Sequence, residues 1–200
     1  MCADEKVKNQ SVEKTAEQQE ESMEHVKRIG RDLVYKGTIL DFYEDKIQTP
    51  NGKVVTWDFI GHKGAAAVVP VKADGKLIMV RQYRNALDRE TLEIPAGARN
   101  YPEEPTLTCA SRELEEETGY RSENLELLIT LRTAIAYCNE LIDVYVARDL
   151  IPSKQHLDED EFVDVEEYTL DELCQMIYEG KLQDAKTVAA IMAYKAKFHL

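Results

Sequence analysis

The stretch that decides the fold of this chain reads Gly97-Ala-Arg-Asn-Tyr-Pro-Glu-Glu-Pro-Thr-Leu-Thr-Cys-Ala-Ser-Arg112-Glu-Leu-Glu-Glu-Glu-Thr-Gly119-Tyr120. Four glutamates and one arginine lie within six successive positions between its two glycines. In a helix over residues 110–118, each residue advances about 100° around the axis, so side chains three and four positions apart share a face. Such a helix turns Glu115 away and brings three carboxylates together, namely Glu113, Glu116 and Glu117. They repel one another unless a cation lies among them, and hard divalent cations bound by oxygen are the usual partners.

The residues around this acidic run favour a metal-binding site over the commoner alternative, a solvated glutamate-rich face. Gly97 follows the strand-like Thr91-Leu-Glu-Ile-Pro-Ala96, and Arg112 directly precedes the acidic face. Gly119 stands where a left-handed residue often ends a helix. The order Gly, Glu, Arg-Glu-Leu-x-Glu-Glu-x-Gly-Tyr resembles the Nudix box of the Nudix hydrolase superfamily.

The early glutamate of this box has two candidates. Glu103 keeps the family's spacing after Gly97, whereas Glu104 keeps the family's spacing before Arg112. We favour Glu104, because the helical register that leads back from Arg112 is harder to change than a loop. The extra residue is then placed in the loop over residues 99–102.

Composition limits the possible compartments and partners. A net charge of −13 argues against broad nucleic-acid binding, which needs a basic surface. No apolar run is long enough to cross a membrane, and the N-terminus shows no signal-peptide pattern. The four cysteines form no Cys-x-x-Cys pair, which argues against a zinc site and fits reduced thiols. We therefore expect a cytoplasmic protein.

The length of 200 residues suits one domain with a small accessory unit. We predict a polar N-terminal arm over residues 1–30, with a short helix at about 17–28. An antiparallel three-stranded unit follows over 31–62, and the main domain occupies 63–200. Three strands alone cannot bury both of their faces, so this unit must dock on the main domain or on a second copy of the chain.

Hydrophobic periodicity gives the expected elements. In the N-terminal unit we predict a hairpin turn at Pro50-Asn51-Gly52 and strands over residues 33–43, 46–49 and 54–60. In the main domain we predict that strands 65–71 and 76–83 pair across Ala73-Asp-Gly75. Further strands are predicted over 126–132, 141–147 and 162–168, and helices over 170–179 and 183–198. The class is α/β, with a mixed sheet covered by helices on both faces, and the Nudix resemblance implies the same α/β/α sandwich.

The resemblance implies that the box binds Mg2+ or Mn2+. Matching positions make Glu113 and Glu117 metal ligands and Glu116 a third ligand or a bridge, and the carbonyl of Ala96 matches a further ligand. Arg112 lies one turn from Glu116, so we assign it to orienting the carboxylates. The alternative for Arg112 is a surface salt bridge worth under about 1 kcal/mol.

A second acidic run, Asp158-Glu-Asp-Glu161, is by itself typical of a solvated loop. ADP-ribose pyrophosphatases of the superfamily carry an acidic loop before a strand, as here before Phe162. By position, Glu161 matches a metal ligand and Glu159 matches a candidate general base.

Three positions match substrate contacts in those enzymes. Arg84 matches an arginine that contacts the diphosphate, and its planar guanidinium suits paired hydrogen bonds to phosphate. Trp57, the only tryptophan, matches an aromatic residue that stacks on adenine. Ala98, inside the box, is the third implied contact. Without the family resemblance, an exposed position at a strand end is equally expected for Arg84. For Trp57, a position in the core is the more usual expectation.

The resemblance covers nearly the whole chain and is closest to dimeric ADP-ribose pyrophosphatases. It implies a homodimer that exchanges its N-terminal units, and hydrolysis of ADP-ribose to AMP and ribose 5-phosphate. Ile135 departs from the pattern, because ADP-ribose-specific members tend to have proline there. Two alternatives therefore remain, namely hydrolysis of other nucleoside diphosphate sugars such as ADP-glucose, and a nucleotide-sensing Nudix protein without turnover.

Overall fold

The computed structural model describes residues 25–38, 40–159 and 161–200, and strands make up most of its regular structure. These residues form twelve strands and three α-helices. The strands are β1 (Lys27–Lys36), β2 (Asp41–Gln48), β3 (Val54–Gly61), β4 (Ala65–Pro70), β5 (Leu77–Arg84), β6 (Arg89–Glu93), β7 (Ala96–Ala98), β8 (Tyr120–Arg121), β9 (Asn124–Arg132), β10 (Leu141–Arg148), β11 (Ile151–Pro152) and β12 (Val163–Tyr168). The helices are α1 (Thr106–Thr118), α2 (Leu170–Tyr178) and α3 (Ala185–Phe198).

The N-terminal unit is an antiparallel sheet in the order β1-β2-β3, as predicted. The hairpin turn at Asn51-Gly52 is confirmed, with Gly52 at φ +82°. The single strand predicted over residues 33–43 is wrong. The chain reverses between Lys36 and Asp41, which pair across β1 and β2, and the N–H of Gly37 donates to the carbonyl of Leu40 at 2.9 Å.

The helix predicted over residues 17–28 is wrong at its C-terminal end. Lys27 and Arg28 lie in β1, paired with Gln48 and Ile47 of β2. Edge pairing with a neighbouring strand therefore overrides the helical spacing of the apolar residues here. Residues 17–24 lie outside the described residues.

A mixed four-stranded sheet in the order β7-β4-β10-β9 forms the centre of the main domain. β4 runs parallel to β10, and the other pairs are antiparallel. Successive side chains of a strand point to opposite faces. Ala66 and Val68 of β4 accordingly pack with buried residues of α1, whereas Ala67 and Val69 pack with buried residues of α3 such as Ile191. The expected sandwich, a mixed sheet between helices, is therefore confirmed.

A second, antiparallel sheet has the order β12-β5-β6. The predicted pairing of strands 65–71 and 76–83 is therefore wrong, because β4 and β5 belong to different sheets. A strand has two edges, and β10 and β7 already occupy both edges of β4. Only one bridge, between Val71 and Leu77, joins the ends of the two segments.

The C-terminal half follows the sequence prediction closely. β9 and β10 contain the two predicted strands, and β12 begins one residue late, at Val163. Helix α2 starts at a capping box made by Thr169 and Glu172, and Asp184 caps α3 by accepting a hydrogen bond from the N–H of Thr187. No helix in the described part of the chain has the length and apolarity needed to cross a membrane.

A buried ion-pair network ties the second sheet to α3. Glu93, at the end of β6, is only 3% exposed. It accepts hydrogen bonds from Arg84 Nε at 2.8 Å and Nη2 at 2.7 Å, and a further bond from Lys186 Nζ. Burial alone would raise the pKa of Glu93, but the bonds from Arg84 and the charge of Lys186 outweigh burial and lower it to about 2.

The low pKa of Glu93 predicts a specific pH dependence of stability. The ionised carboxylate contributes its full stability above the ordinary pKa of 4.5, and this contribution is lost as the pH falls from 4.5 toward about 2. We expect Glu93→Gln to lower the free energy of unfolding by roughly 3 kcal/mol at neutral pH and by much less near pH 3. Urea denaturation of both proteins across this range measures the difference.

Glu167→Gln is the matched control, because Glu167 pairs with Lys72 at the surface. An exposed pair contributes under about 1 kcal/mol, so the control should stay close to the wild type at every pH. A stability loss in Glu93→Gln that did not change with pH would contradict the assignment.

Candidate active site

Helix α1 carries the acidic face of the box. It runs from Thr106 to Thr118, so it begins before the predicted residue 110 and ends where predicted. Gly119 caps it at φ 70°, a left-handed conformation that glycine adopts without strain. Leu114 is fully buried against β4, which places Glu113 and Glu117 at the rim of the core with 8% and 4% exposure.

Gly97 allows α1 to approach β7 very closely. It pairs with Ala66 of β4, and the carboxylate of Glu113 lies directly against its Cα. A Cβ atom at this position would collide with that carboxylate unless the Glu113 side chain turned away. Glycine therefore lets the carboxylate of Glu113 lie against the backbone of β7 in this orientation.

Arg112 connects the carboxylates of the helix to β7. Its Nη1 donates to Glu113 Oε1 at 2.6 Å and to Glu116 Oε2 at 2.9 Å, and its Nη2 donates to the carbonyl of Ala98 at 3.2 Å. Glu104 Oε2 lies 3.6 Å from the same Nη2. The predicted proximity of Arg112 and Glu116 is thus present in the structure.

The two candidates for the early glutamate have different surroundings. Glu104 is buried and accepts a hydrogen bond from the N–H of Asn100 at 2.6 Å, whereas Glu103 is exposed. Only Glu104 also lies near Arg112. The geometry therefore supports Glu104 as the glutamate that belongs to the box.

The pKa values of Glu113 and Glu117 are both raised. Burial raises the pKa of Glu113 to about 7, in spite of the charge of Arg112. Burial and the charge of Glu113 raise the pKa of Glu117 to about 8, although Glu117 Oε2 accepts a hydrogen bond from the N–H of Ala96 at 2.9 Å. Two carboxylates thus lie close together with too little positive charge around them.

The residues present fit a hard divalent cation. The candidate ligand atoms are all oxygens, namely the carboxylates of Glu113 and Glu117 and the carbonyl of Ala96. Oxygen ligands are those that Mg2+ and Mn2+ prefer. Within the described ranges, no three His, Cys, Asp or Glu side chains already surround one point as metal ligands would. Arg112 holds Glu113 and Glu116 instead, so metal binding would require these carboxylates to turn from the guanidinium toward the ion.

The acidic loop lies between β11 and β12. Glu161 is exposed, yet its charge contributes to the raised pKa of both Glu113 and Glu117, which places it near the box. Glu159 is also exposed, and none of the described hydrogen bonds joins it to α1. The structure therefore brings Glu161 toward the carboxylates and leaves Glu159 facing solvent.

A cavity of about 650 Å³ opens beside β7. Its lining includes the predicted residues Ala96, Ala98 and Arg84. Trp57 does not line it: this side chain is 52% exposed on the N-terminal sheet, opposite Asp45. The structure of one chain thus gathers Arg84 and Ala98 at the cavity and leaves Trp57 outside it.

Sequence reasoning missed several residues of this cavity. Glu93 was expected only as part of a strand, although its place between two apolar residues, Leu92 and Ile94, was a usable signal. Lys186, His62 and Glu140 also line the cavity. Their side chains come from α3, from the end of β3 and from the loop before β10, and nothing in the local sequence links these places.

Comparison with known proteins agrees with the box and the fold. Residues 61–191 match the NUDIX domain family. The chain is 39% identical over 173 residues to a protein of Bacillus subtilis (strain 168) named ADP-ribose pyrophosphatase, covering 86% of this chain and 93% of the relative. It is 41% identical over 167 residues to the methanol dehydrogenase activator of Bacillus methanolicus, covering 82% and 90% of the two chains.

The fold matches a solved structure as well. A crystal structure of an ADP compounds hydrolase superposes with a TM-score of 0.78 at 22% identity, covering 89% of this chain and 96% of that chain. At this identity the likeness concerns the fold alone. Together with the family match over most of the chain and the box built on α1 and β7, these findings show that the chain belongs to the Nudix hydrolase superfamily.

Proposed function

We propose that this protein hydrolyses the diphosphate of ADP-ribose to AMP and ribose 5-phosphate with the help of Mg2+ or Mn2+. The observation that carries the proposal is the buried carboxylate pair of Glu113 and Glu117, which contacts the cavity-lining residues Gly97 and Ala96 of β7. The names of the relatives from Bacillus subtilis and Mycobacterium tuberculosis, both ADP-ribose pyrophosphatase, support the choice of substrate.

Each residue of the site has a definite task in this reaction. When bound, the metal neutralises phosphoryl oxygens and makes water a better nucleophile. Glu113, Glu117, Glu161 and the carbonyl of Ala96 would hold it, and Glu116 would serve as a third helix ligand or a bridge. Arg112 orients Glu116 and restrains the carboxylates between turnovers, since it already donates to two of them.

Side-chain and main-chain groups at the cavity can contact the substrate. The guanidinium of Arg84 lies at the cavity and can pair with the diphosphate, and Glu93 fixes its orientation by accepting two hydrogen bonds. Ala98 contributes main-chain contact on β7. Glu159 is the candidate base that accepts the proton of the attacking water, which requires the acidic loop to bring it within hydrogen-bond reach.

Other nucleoside diphosphate sugars are the first alternative substrates. Ile135 is 81% exposed in the loop before β10, and this loop lacks the proline typical of ADP-ribose-specific members. A mouse relative, 35% identical over 106 residues, is named ADP-sugar pyrophosphatase. The second alternative, a sensor without turnover, is disfavoured because a sensor has no need for the complete set of box glutamates.

We also infer that two copies of the chain form a homodimer through exchange of their N-terminal sheets. The apolar side chains of this sheet that are more than half exposed are Ile29, Leu33, Val34, Tyr35, Val54 and Trp57. A second copy would cover them and would bring Trp57 to the partner's cavity, where it can stack on adenine.

The described cysteines Cys109, Cys138 and Cys174 are free thiols, which supports a reducing, cytoplasmic location.

The central prediction concerns the carboxylate pair. With Mg2+, the wild type should release AMP from ADP-ribose faster than from ADP-glucose. Glu117→Gln keeps the shape of the side chain but removes a charged ligand, so kcat should fall by roughly 100-fold or more. Phosphomonoester release from this panel of substrates measures both effects.

Glu115→Gln is the control for this variant. Glu115 lies on the same helix, but it points toward Ser153, whose hydroxyl donates a hydrogen bond to it. Its activity should remain near that of the wild type. Release from none of the substrates would favour the sensor, and preferential release from ADP-glucose would favour the first alternative.

A second prediction concerns the base. Glu159→Gln should lower kcat by about 100-fold, because general bases typically contribute at least that much. It should leave the metal concentration for half-maximal activity nearly unchanged, since Glu159 is not among the proposed ligands. Metal titration and steady-state kinetics separate the two effects, and near-normal turnover would remove Glu159 from the mechanism.

A third prediction concerns Trp57 and the dimer. Sedimentation should give twice the chain mass at micromolar concentration. Because Trp57 is the only tryptophan and is half exposed, its fluorescence should be quenched when AMP binds. A monomer, or AMP binding detected by calorimetry without any change in fluorescence, would refute the role of Trp57.

A further inference from the structure

The stem of the acidic loop, residues 153–156, caps the C-terminal end of α1. The last carbonyls of a helix have no partners within the helix and need donors from elsewhere. The N–H of His156 donates to the carbonyl of Glu116 at 2.9 Å, and the N–H of Ser153 donates to the carbonyl of Gly119 at 2.7 Å. The helix that carries the box glutamates is therefore joined to the loop that carries the second acidic run.

Gln155 adds a side-chain connection that closes the loop. A primary amide has two N–H donors. Nε2 of Gln155 donates to the carbonyl of Glu117 at 2.8 Å and to the carbonyl of Val163 at 3.1 Å. Val163 is the first residue of β12, on the far side of the acidic loop. One carboxamide thus holds the start of the loop, its end and the backbone of a proposed metal ligand.

The local backbone is shaped to admit this arrangement. The two-residue strands β8 and β11 pair directly after α1, with Tyr120 opposite Pro152, and this pairing brings the stem against the end of the helix. A Cβ atom at Gly119 would stand 3.1 Å from the backbone nitrogen of Gln155, which is tighter than ordinary contact. The glycine that ends α1 therefore also leaves room for the stem.

The position of the closed loop bears on the chemistry. Residues 156–159, 161 and 162 have no regular secondary structure, and both Glu159 and Glu161 are exposed. If its two ends were not anchored, such a segment could place Glu161 in many positions relative to Glu113 and Glu117. Small errors in the position of reacting groups are costly for catalysis. The bonds of Gln155 hold both ends of the segment at the metal-binding face.

We propose that Gln155 is a positioning residue that fixes the acidic loop, and with it Glu159 and Glu161, against the carboxylates of α1. It acts through these residues and touches neither substrate nor metal. The inference rests on the proposed function for its effect on turnover. Its effect on the loop itself can be measured without any substrate.

Gln155→Glu is the informative variant. It keeps the size and shape of the side chain, but it replaces the donating NH2 group by an oxygen that repels the carbonyls of Glu117 and Val163. Ser153→Ala is the first control, because it removes a hydrogen bond from the same stem to the outward-facing Glu115. Gln175→Glu is the second control, because Gln175 donates to Glu179 at 2.7 Å on the remote helix α2.

The kinetic test separates positioning from general stability. In Gln155→Glu, kcat should fall by about 10-fold or more, and the metal concentration for half-maximal activity should rise. KM for the nucleotide should change by less than about 2-fold, because Arg84 and the cavity are untouched. Both controls should stay within about 2-fold of the wild type in all three quantities. A kcat for Gln155→Glu equal to that of the controls would overturn the proposal.

Hydrogen–deuterium exchange provides the substrate-free test. Amides of residues 156–159, 161 and 162 should exchange faster in Gln155→Glu than in the wild type and in both controls, whereas amides in the middle of α1 should not change. Equal exchange in all four proteins would overturn the proposal. If the wild type hydrolysed no substrate but the loop was still released in Gln155→Glu, the proposed function would fail and the role of Gln155 in fixing the loop would stand.

Discussion

The close packing of α1 against β4 and β7 is the constraint on which the rest of the site depends. Small side chains such as Ala66 and Ala110 let the helix pack closely against the sheet, and Gly97 leaves room for the carboxylate of Glu113 beside the backbone. In this packing, Glu113 and Glu117 lose most of their contact with water. Buried carboxylates are costly unless they are paired. Arg112 already pairs with Glu113, whereas Glu117 accepts its hydrogen bond from a neutral N–H, so the packing favours further positive charge beside Glu117.

The site of this acidic protein depends on local charge, since the chain as a whole carries −13. Arg84 and Lys186 lie at the cavity, but Glu93 and Asp184 bond to them, so these four side chains carry little net charge together. A bound divalent ion would therefore provide most of the positive charge for an anionic substrate. The ion-paired cluster orients the guanidinium of Arg84 at the cavity wall, because Glu93 accepts two hydrogen bonds from it.

Patterns that act over short distances were predictable from the sequence. The acidic face of α1 follows from helical spacing alone, and the hairpin at Asn51-Gly52 follows from turn chemistry. Pairing between strands was less predictable. The segments 65–71 and 76–83 looked like a hairpin, yet β4 pairs with β10 and β7, because the best burial for its apolar residues lies at the centre of the larger sheet. The helix predicted up to residue 28 failed for a related reason, since β2 offered an edge to Lys27 and Arg28.

The sequence by itself determined the family, the class of fold and the set of glutamates on one face of one helix, because all three depend on residue types at short spacings. Only the tertiary structure decided what surrounds those glutamates. Lys186 reaches Glu93 from α3, and Gln155 joins the end of α1 to β12. Such contacts join residues far apart in the chain, and burial raises the pKa of Glu113 and Glu117 only once the helix has packed on the sheet. No local pattern encodes either effect, because both arise from the packing of separate elements.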